Sequence, residues 1–304
     1  MTAYDVLLVG DYWYDLVFTG LPEMPRLGAE VYAEGFADLP GGPFNIAAAL
    51  QRMGLRVGWA ADFGSDAFSR LALAGIRAEG LDERLFVIHD RPYRRVTASA
   101  SFPHDRSFLS YSDLPPEAPA GVQAMQRVEA RLLMVPGLLS GQLLDGYYAL
   151  VQARQMQVTL DCQHTSFTLA DPAVRRMVER ADVFMPNAAE ACHLTGAGSA
   201  LEALHALAEV CPVAVVKDGA NGAYGLRRGE SSAVHAPALP VQVMDTTGAG
   251  DAFNAGFIKA WLDGRPLAEC LRWGNICGGL SATARGGATA APTLAEVQRW
   301  LAQA

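Results

Sequence analysis

Lysine is nearly missing from this chain: Lys217 and Lys259 are the only two in 304 residues, so almost all positive charge is arginine. Neither lies in a Gly-x-x-x-x-Gly-Lys-Ser/Thr run, which excludes a Walker-type phosphate loop. The five cysteines (Cys162, Cys192, Cys211, Cys270 and Cys277) form no Cys-x-x-Cys pair. Odd in number and widely spread, they exclude a disulfide framework and fit reduced thiols buried as small core residues. The six histidines (His89, His104, His164, His193, His205 and His235) show no metal-ligand spacing. Positive charge is also in deficit, with 24 Lys+Arg against 32 Asp+Glu and a net charge of −8. That balance argues against a general binder of nucleic acid or of anionic membrane. No apolar run reaches the ~18 residues of a membrane span. The opening Met1-Thr2-Ala3-Tyr4-Asp5 has no basic region of the signal-peptide kind. The expectation is a cytoplasmic protein with neither a nucleic-acid nor a membrane partner.

What is present is apolar bulk: 51% of residues are hydrophobic, enough for one large core. Short apolar runs at 6–9, 132–135, 158–160, 183–185 and 213–216 read as buried strands. Amphipathic helical patterns lie between them. In one, Ile46, Leu50 and Met53 share a face and Gly54 ends the helix; in another, Ser65 precedes a helix carrying Phe68, Leu71 and Ile76. Alternation of this kind implies a parallel sheet covered by helices on both faces, with sites at the carboxyl ends of strands. Residues 11–40 and 93–113 break the pattern. Val96–Phe102, the turn formers Pro103-His104-Asp105-Arg106 and Ser107–Leu109 read as a hairpin. These two stretches are expected to form a small sheet over the strand ends, a lid, the alternative being an ordinary sheet edge. No linker or repeat divides the chain, so the expectation is one domain over 1–304 with an excursion.

The densest local signal is Asp245-Thr246-Thr247-Gly248-Ala249-Gly250-Asp251-Ala252-Phe253. Phe253, Phe257 and Trp261 recur every four residues, so an apolar-faced helix begins near Gly250. Gly248 and Gly250 let backbone N–H groups approach a ligand, and a helix start with unpaired donors suits phosphate or a developing negative charge. Asp251 falls on the first turn, where the helix dipole is expected to keep it ionised. An ionised acid beside an anion cradle is what deprotonation of a hydroxyl attacking a phosphate requires. An Asp cap on a surface helix is the alternative.

Other constellations sit at strand ends. Gly41-Gly42-Pro43-Phe44-Asn45 opens a helix, with glycines for close approach and an amide for hydroxyl groups. Asp15 follows the first strand. Asn187-Ala188-Ala189-Glu190 reads either as a capping box or as two groups ordering the waters of a phosphate-bound Mg²⁺. Lys217-Asp218-Gly219-Ala220-Asn221-Gly222 ends a strand in a tight turn suited to lie against a nucleotide.

Gly-Gly-x-x-Asn at 41, Asn-x-x-Glu at 187, Gly-x-x-Gly at 219 and Asp-Thr-x-Gly-Ala-Gly-Asp at 245 together resemble the ribokinase-like (PfkB) family of carbohydrate kinases. Order, spacing and length all match, and the resemblance covers essentially the whole chain. It implies an α/β fold, a ribokinase-like three-layer α/β/α sandwich with a mostly parallel central sheet and a β lid at about 11–40 and 93–113. It implies an ATP-dependent phosphotransferase with Mg²⁺, in which Asp251 is the catalytic base and Gly248, Ala249 and Gly250 form an anion hole. By the same resemblance Asp15, Gly41, Gly42 and Asn45 hold sugar hydroxyls, and Gln163 sits at a substrate position. Asn187, Lys217, Gly219, Gly222 and Asn275 belong to the nucleotide side, with Glu190 reaching Mg²⁺ through water. The Gly286-Gly287 turn is expected where the adenine pocket closes. Asp245 and Thr247 match positions that coordinate a monovalent cation such as K⁺ in some members. The lid often makes a dimer contact in the family, so a homodimer through the lid is expected, with ATP and a small sugar-like substrate as ligands.

The chain departs from the family pattern in places. Many sugar-kinase members carry Asp-x-Asn-x-Arg where this chain has Asp161-Cys162-Gln163-His164-Thr165, so Gln163 replaces Asn and the Arg is missing. Pro43 stands where members acting on phosphorylated sugars, and ribokinases, often have Lys. The expected acceptor is therefore a free sugar or sugar acid with a primary hydroxyl, although Arg94 and Arg95 on the lid offer charge for a phosphate. Tyr12, Trp13 and Phe102 are candidates to stack on a sugar face or a base, which keeps a nucleoside kinase as the alternative. A non-catalytic sugar- or nucleotide-binding regulator is the third reading; an intact Asp251 and Gly248-Ala249-Gly250 speak against it.

Overall fold

The computed structural model describes residues 3–102, 106–138, 141–163, 165–284 and 286–303. The expected turn at 103–105, and His164, lie outside these. The chain enters the core through β1 (Ala3–Val9), leaves it as the pair β2 (Trp13–Thr19) and β3 (Gly35–Gly41), and returns through α1 (Pro43–Arg52) to β4 (Val57–Ala60). Short strands β5 (Asp62–Phe63) and β6 (Val87–Ile88) bracket α2 (Ala67–Ala78), and β7 (Arg95–Ser101) and β8 (Arg106–Ser112) make a second excursion. Strand and helix then alternate through α3 (Ala120–Arg127), β9 (Glu129–Val135), α4 (Gly141–Arg154), β10 (Gln157–Leu160), α5 (Pro172–Arg180) and β11 (Val183–Phe184). After α6 (Ala188–Thr195) and α7 (Ala200–Ala208) come β12 (Val213–Lys217), β13 (Ala223–Arg227) and β14 (Val234–Ala236). Helices α8 (Ala249–Leu262), α9 (Leu267–Ser281) and α10 (Leu294–Gln303) finish the chain.

Eight strands form the central sheet in the order β14-β13-β12-β11-β10-β9-β1-β4. All neighbours from β4 to β12 pair in parallel, while β13 and β14 are antiparallel. Alternate residues of one strand feed two different cores, as the pleat dictates. Val6 and Leu8 pack under α1, α2, α8 and α9, whereas Leu7 and Val9 pack under α3, α5, α6 and α7. Burial on both faces explains why these strands read as continuous apolar runs.

The lid is a four-stranded sheet, β3-β2-β7-β8. Its pairings (Asp15 with Leu39 and Thr97, Leu16 with Asp38 and Ala98, Ala98 with Leu109) give it two unlike faces. Trp13, Asp15, Arg95 and Arg106 share one face; Leu16, Phe18, Phe36, Leu109 and Tyr111 share the other. The second face packs on α2 at one end, where the Tyr14 and Phe68 rings lie 6.1 Å apart. At its other end it stays open, with Phe36 59%, Leu109 78% and Tyr111 53% exposed.

One local expectation is corrected. The helix after Ser65 is α2, capped by Asp66, whose carboxylate accepts from the N–H of Ser69 at 3.0 Å and also from that of Tyr93 at 2.9 Å. Leu71 is 46% exposed; the buried face of α2 runs through Ser69, Ala72, Leu73 and Ile76.

Candidate active site

Helix α8 starts from Gly248, whose φ of +73° is left-handed. A Cβ there would stand 2.7 Å from the Cα of Gly287, so only glycine fits. The turn tucks the Ala249 N–H onto the Thr246 carbonyl at 3.2 Å. Among the described residues the N–H groups of Gly248, Gly250 and Asp251 have no acceptor. Of the three donors expected, Ala249 is thus committed to the turn, and the Asp251 N–H takes its place beside the other two at the positive end of the helix.

Asp251 is not held ionised by the dipole as expected. Burial pushes its carboxyl up to about 7, and the nearby charge of Asp161 adds to this. Lys217 and a hydrogen bond from Asn45 pull the other way without overcoming it. Desolvation is the largest cause of the shift. Asp161, just beyond β10, Lys217 at the end of β12 and Asn254 on α8 form a closed cluster. The Lys217 Nζ donates to both Asp161 oxygens at 2.9 and 3.0 Å and to Asn254 Oδ1 at 3.2 Å. Asn254 Nδ2 in turn donates to Asp161. Sequence reading assigned Lys217 to the nucleotide loop and passed over Asp161 and Asn254. Asn254 was within reach, since it lies three residues after Asp251 on the same helix.

Two cavities meet at this turn. One, of about 400 Å³, is lined by Asp251, Asp161, Gln163, Gly42, Trp13, Asp11, Asp62 and Arg95, among others. The other, of about 630 Å³, is lined by Ala249, Gly250, Lys217, Gly219, Gly222, Phe253 and Asn275, with apolar walls from Leu239 and Val243. Lys217 Nζ lies 3.6 Å from where a Cβ on Gly250 would stand. A third hollow of about 290 Å³ is lined by Asn187, Glu190, Gln163 and His193. Asn187 and Glu190 form the full capping box of α6, each side chain bonding the other's backbone N–H at 2.9 Å. Burial raises the Glu190 carboxyl to about 7. The capping-box reading holds, and the same two residues line the hollow.

The missing side chains of Gly41 and Gly42 make room for protein groups, and Gly42 also lines the smaller cavity. A Cβ on Gly41 would strike the Asp15 carboxylate, and one on Gly42 would meet the Trp13 indole at 2.7 Å. Asp15 accepts no hydrogen bond among the described residues, and burial lifts its carboxyl to about 6. Asn45 is buried, and its Oδ1 is already taken by the N–H of Ala288 at 3.0 Å. Asn275 uses its amide on the Ala236 and Pro237 carbonyls at 2.8 and 3.0 Å, fixing one wall of the larger cavity. Gly286 and Gly287 do not line that cavity as expected; Gly287 packs on Gly248 and Asn45. Tyr12 is fully buried and stacked on Phe63 at 4.9 Å, so of the candidate platforms Trp13 is the one in the cavity. Asp245 accepts from the Thr247 N–H and hydroxyl at 2.9 and 2.7 Å and from the Gly286 N–H at 3.1 Å. Arg106 reaches across from the lid to the Thr247 hydroxyl at 2.6 Å and lies 3.8 Å from Asp245.

The mostly parallel sheet, the small second sheet and a helix start with unpaired N–H donors between two cavities define an α/β fold with a two-cavity site, and comparison with known proteins supplies its class. The chain belongs to the pfkB family of carbohydrate kinases, whose model matches residues 6–294. It is 26% identical over 305 residues to the ribokinase of Bacillus subtilis (strain 168), covering 98% of this chain and 99% of that protein. The solved Arabidopsis thaliana ribokinase complexed with ribose and ATP superposes with a TM-score of 0.83 at 21% identity, covering 99% of each chain. A putative ribokinase II from E. coli in complex with ATP and Mg²⁺ superposes at 0.76, also at 21% identity and covering 99% of each chain. The chain is an ATP-dependent phosphotransferase acting on a sugar or nucleoside. Among the described residues no helix is long and apolar enough to cross a membrane.

The raised carboxyls make stability depend on pH. An acid whose folded pKa lies above its ordinary value near 3.8 favours the fold while protonated, and loses that contribution as pH rises from about 4 through about 7. Asp251→Asn should therefore raise the Tm of the ligand-free protein at pH 8, by the equivalent of about 2–4 kcal/mol, and change it little at pH 5. Equal shifts at both pH values, read by differential scanning fluorimetry, would contradict the assignment.

Proposed function

We propose that this protein transfers the γ-phosphoryl group of ATP to a primary hydroxyl of a free sugar or sugar acid. The observation that carries this is the division of one helical turn between two cavities. Ala249 and Gly250 line the larger, and Asp251, the next residue, lines the smaller. An acceptor hydroxyl in the smaller cavity meets the carboxylate, while the γ-phosphate of a nucleotide in the larger meets the helix start. Asp251 takes the hydroxyl proton, the oxygen attacks phosphorus, and ADP leaves with the electron pair of the broken P–O bond. Charge on the transferred group is stabilised by the free N–H donors of Gly248, Gly250 and Asp251 and by Lys217, each such donor worth about 10²–10³ in rate. Asp15, with unused lone pairs on the lid's inner face, accepts from other acceptor hydroxyls. The lid excludes water, and so limits ATP hydrolysis.

Mg²⁺ fits the hollow between Asn187, Glu190 and Gln163. Among the described residues no three His, Cys, Asp or Glu side chains form a metal cage. That suits an ion that keeps its waters and is held mostly by phosphates. Bound there with ATP, it would neutralise phosphate charge; Asn187 and Glu190 would order its waters. A monovalent cation fits Asp245 and Thr247 less well. The Asp245 carboxylate already faces three protein donors and the Arg106 guanidinium, which leave little negative charge for K⁺.

The smaller cavity favours a sugar over a nucleoside. Trp13 is its aromatic platform, whereas Tyr12 is sealed in the core and Tyr111 lies on the lid's outer face. For the assembly, the open end of the lid's outer face presents Phe36, Leu109 and Tyr111, a surface suited to a second copy of the chain.

Asp251→Asn should lower kcat by several orders of magnitude, at least about 10³-fold, and leave ATP affinity nearly unchanged. Activity within tenfold of wild type in an ADP-release assay would rule out the general-base role. The acid limb of wild-type kcat/KM should fall below pH about 7, because only ionised Asp251 accepts the proton. Asp15→Ala should raise the acceptor KM about tenfold or more with a smaller effect on kcat; an unchanged acceptor KM would remove Asp15 from the acceptor site. Leu109→Glu should shift a dimer to monomer in light scattering, and a mass unaffected by the change would place the dimer contact elsewhere.

A further inference from the structure

One cation lines the acceptor cavity among the described residues, and its donors are only partly used. Arg95 stands on the inner face of the lid against two rings, its guanidinium carbon 5.3 Å from the Trp13 centroid and 5.2 Å from that of Tyr93. Nη2 donates to the Tyr93 hydroxyl at 3.1 Å and lies 3.2 Å from Asp11 Oδ2. Nε is buried with no acceptor. Nη1 also has no acceptor among the described residues, yet it is not sealed off as Nε is. A core would not keep an arginine in this state; an unpaired buried donor beside a cavity calls for a functional explanation.

We propose that Arg95 reads a carboxylate on the acceptor, so that the substrate is a sugar acid rather than a neutral sugar; this rests on the kinase reading above. Nη1 carries two hydrogens at the edge of a planar cation, a geometry matched to carboxylate oxygens. The charge of Arg95 is only partly offset by its neighbour. Asp11 also accepts from the Tyr93 hydroxyl at 2.6 Å and from the Asp62 N–H at 3.0 Å, and so divides its lone pairs among three donors. Of the other carboxylates lining the cavity, Asp62 is engaged with His89 at 2.7 Å and the Ala120 N–H at 2.8 Å and Asp161 with Lys217, while Asp251 is held neutral up to about pH 7 by burial. A phosphorylated sugar is the poorer match, because a dianion asks for more than one half-offset guanidinium. A neutral sugar would leave Nη1 to water. The acid end of the substrate meets Arg95 on the lid, its carbon chain lies along Trp13, and the hydroxyl end meets Asp251.

The test is phosphoryl transfer, followed by ADP release and by ³¹P NMR of the product. The panel sets aldonates and ketoaldonates of five and six carbons against the matching aldoses and ketoses and against nucleosides. Wild type should show a kcat/KM at least about tenfold higher for one of the acids. Arg95→Met should raise the KM for that acid about 10–100-fold, the range of a hydrogen bond to a charged group, and leave kcat within about twofold and the KM for ATP unchanged. Arg95→Lys should recover part of the loss, since it keeps the charge without the planar edge. A neutral sugar or nucleoside as best acceptor, or an acid KM indifferent to Arg95→Met, would overturn the proposal. Transfer to a neutral sugar that Asp251→Asn abolishes would sink the role of Arg95 and leave the kinase reading standing. Arg95-dependent stabilisation by D-gluconate in thermal shift, with no transfer to any acceptor, would do the reverse. If Arg95→Met does not fold, the wild-type panel and Arg95→Lys still decide.

Discussion

The site depends on a buried charge balance that one lysine maintains. Lys217 leaves β12 and is enclosed by Asp161 from the end of β10 and Asn254 from α8, with Asp251 one helical turn away. Removing a partner from such a cluster leaves an uncompensated buried charge, which is far more costly than never having built the pair. The cluster ties the ends of two strands to the helix whose first turn faces both cavities. It also sets the state of Asp251, because Asp161 raises that carboxyl while Lys217 lowers it. A chain with two lysines in 304 residues places one of them at this point.

Phosphoryl transfer asks a protein mainly for position and for charge stabilisation. Position here comes from regular elements: a helix start forced by Gly248, and a lid strand whose pleat alternates between site and outside. Charge stabilisation comes from N–H groups that the fold itself leaves unpaired. The nearby raised carboxyls, Asp15 and Glu190 with Asp251, show what this arrangement costs in stability before a ligand arrives.

Much of the architecture was legible in the amino-acid sequence because each signal was local. The apolar runs at 6–9, 132–135 and 213–216 are strands because both faces of a parallel sheet are buried, and Phe253, Phe257 and Trp261 mark one face of α8. Asn187 and Glu190 declared their capping box by spacing alone. Relations between distant segments were not legible. Nothing around Gly41 or Gly42 announces that their missing side chains make room for Asp15 and Trp13. Nothing around Lys217 shows that it turns onto Asp161, 56 residues earlier. Arg95 was noticed as lid charge, but the partnering that singles it out needs Tyr93, Trp13 and Asp11 in one place. The ionisation of Asp251 was misjudged for the same reason, since the dipole is written locally and burial is not.

The alternation of the lid strands has a further consequence for how this protein can change over evolutionary time. Trp13 and Asp15 share the inner face of the lid with Arg95 only because their pairing parity with β7 is fixed. A one-residue slip of β2 against β3 and β7 would turn both outward and present Tyr14 and Leu16 to the inner face, while the nucleotide half stayed intact. The stretch between β2 and β3, residues 20–34, carries no such constraint and can absorb changes in length. Variation in this lineage should therefore accumulate as substitutions on one parity of β2 and β7 and as insertions beyond Thr19, so that acceptors are exchanged without disturbing the chemistry beneath them.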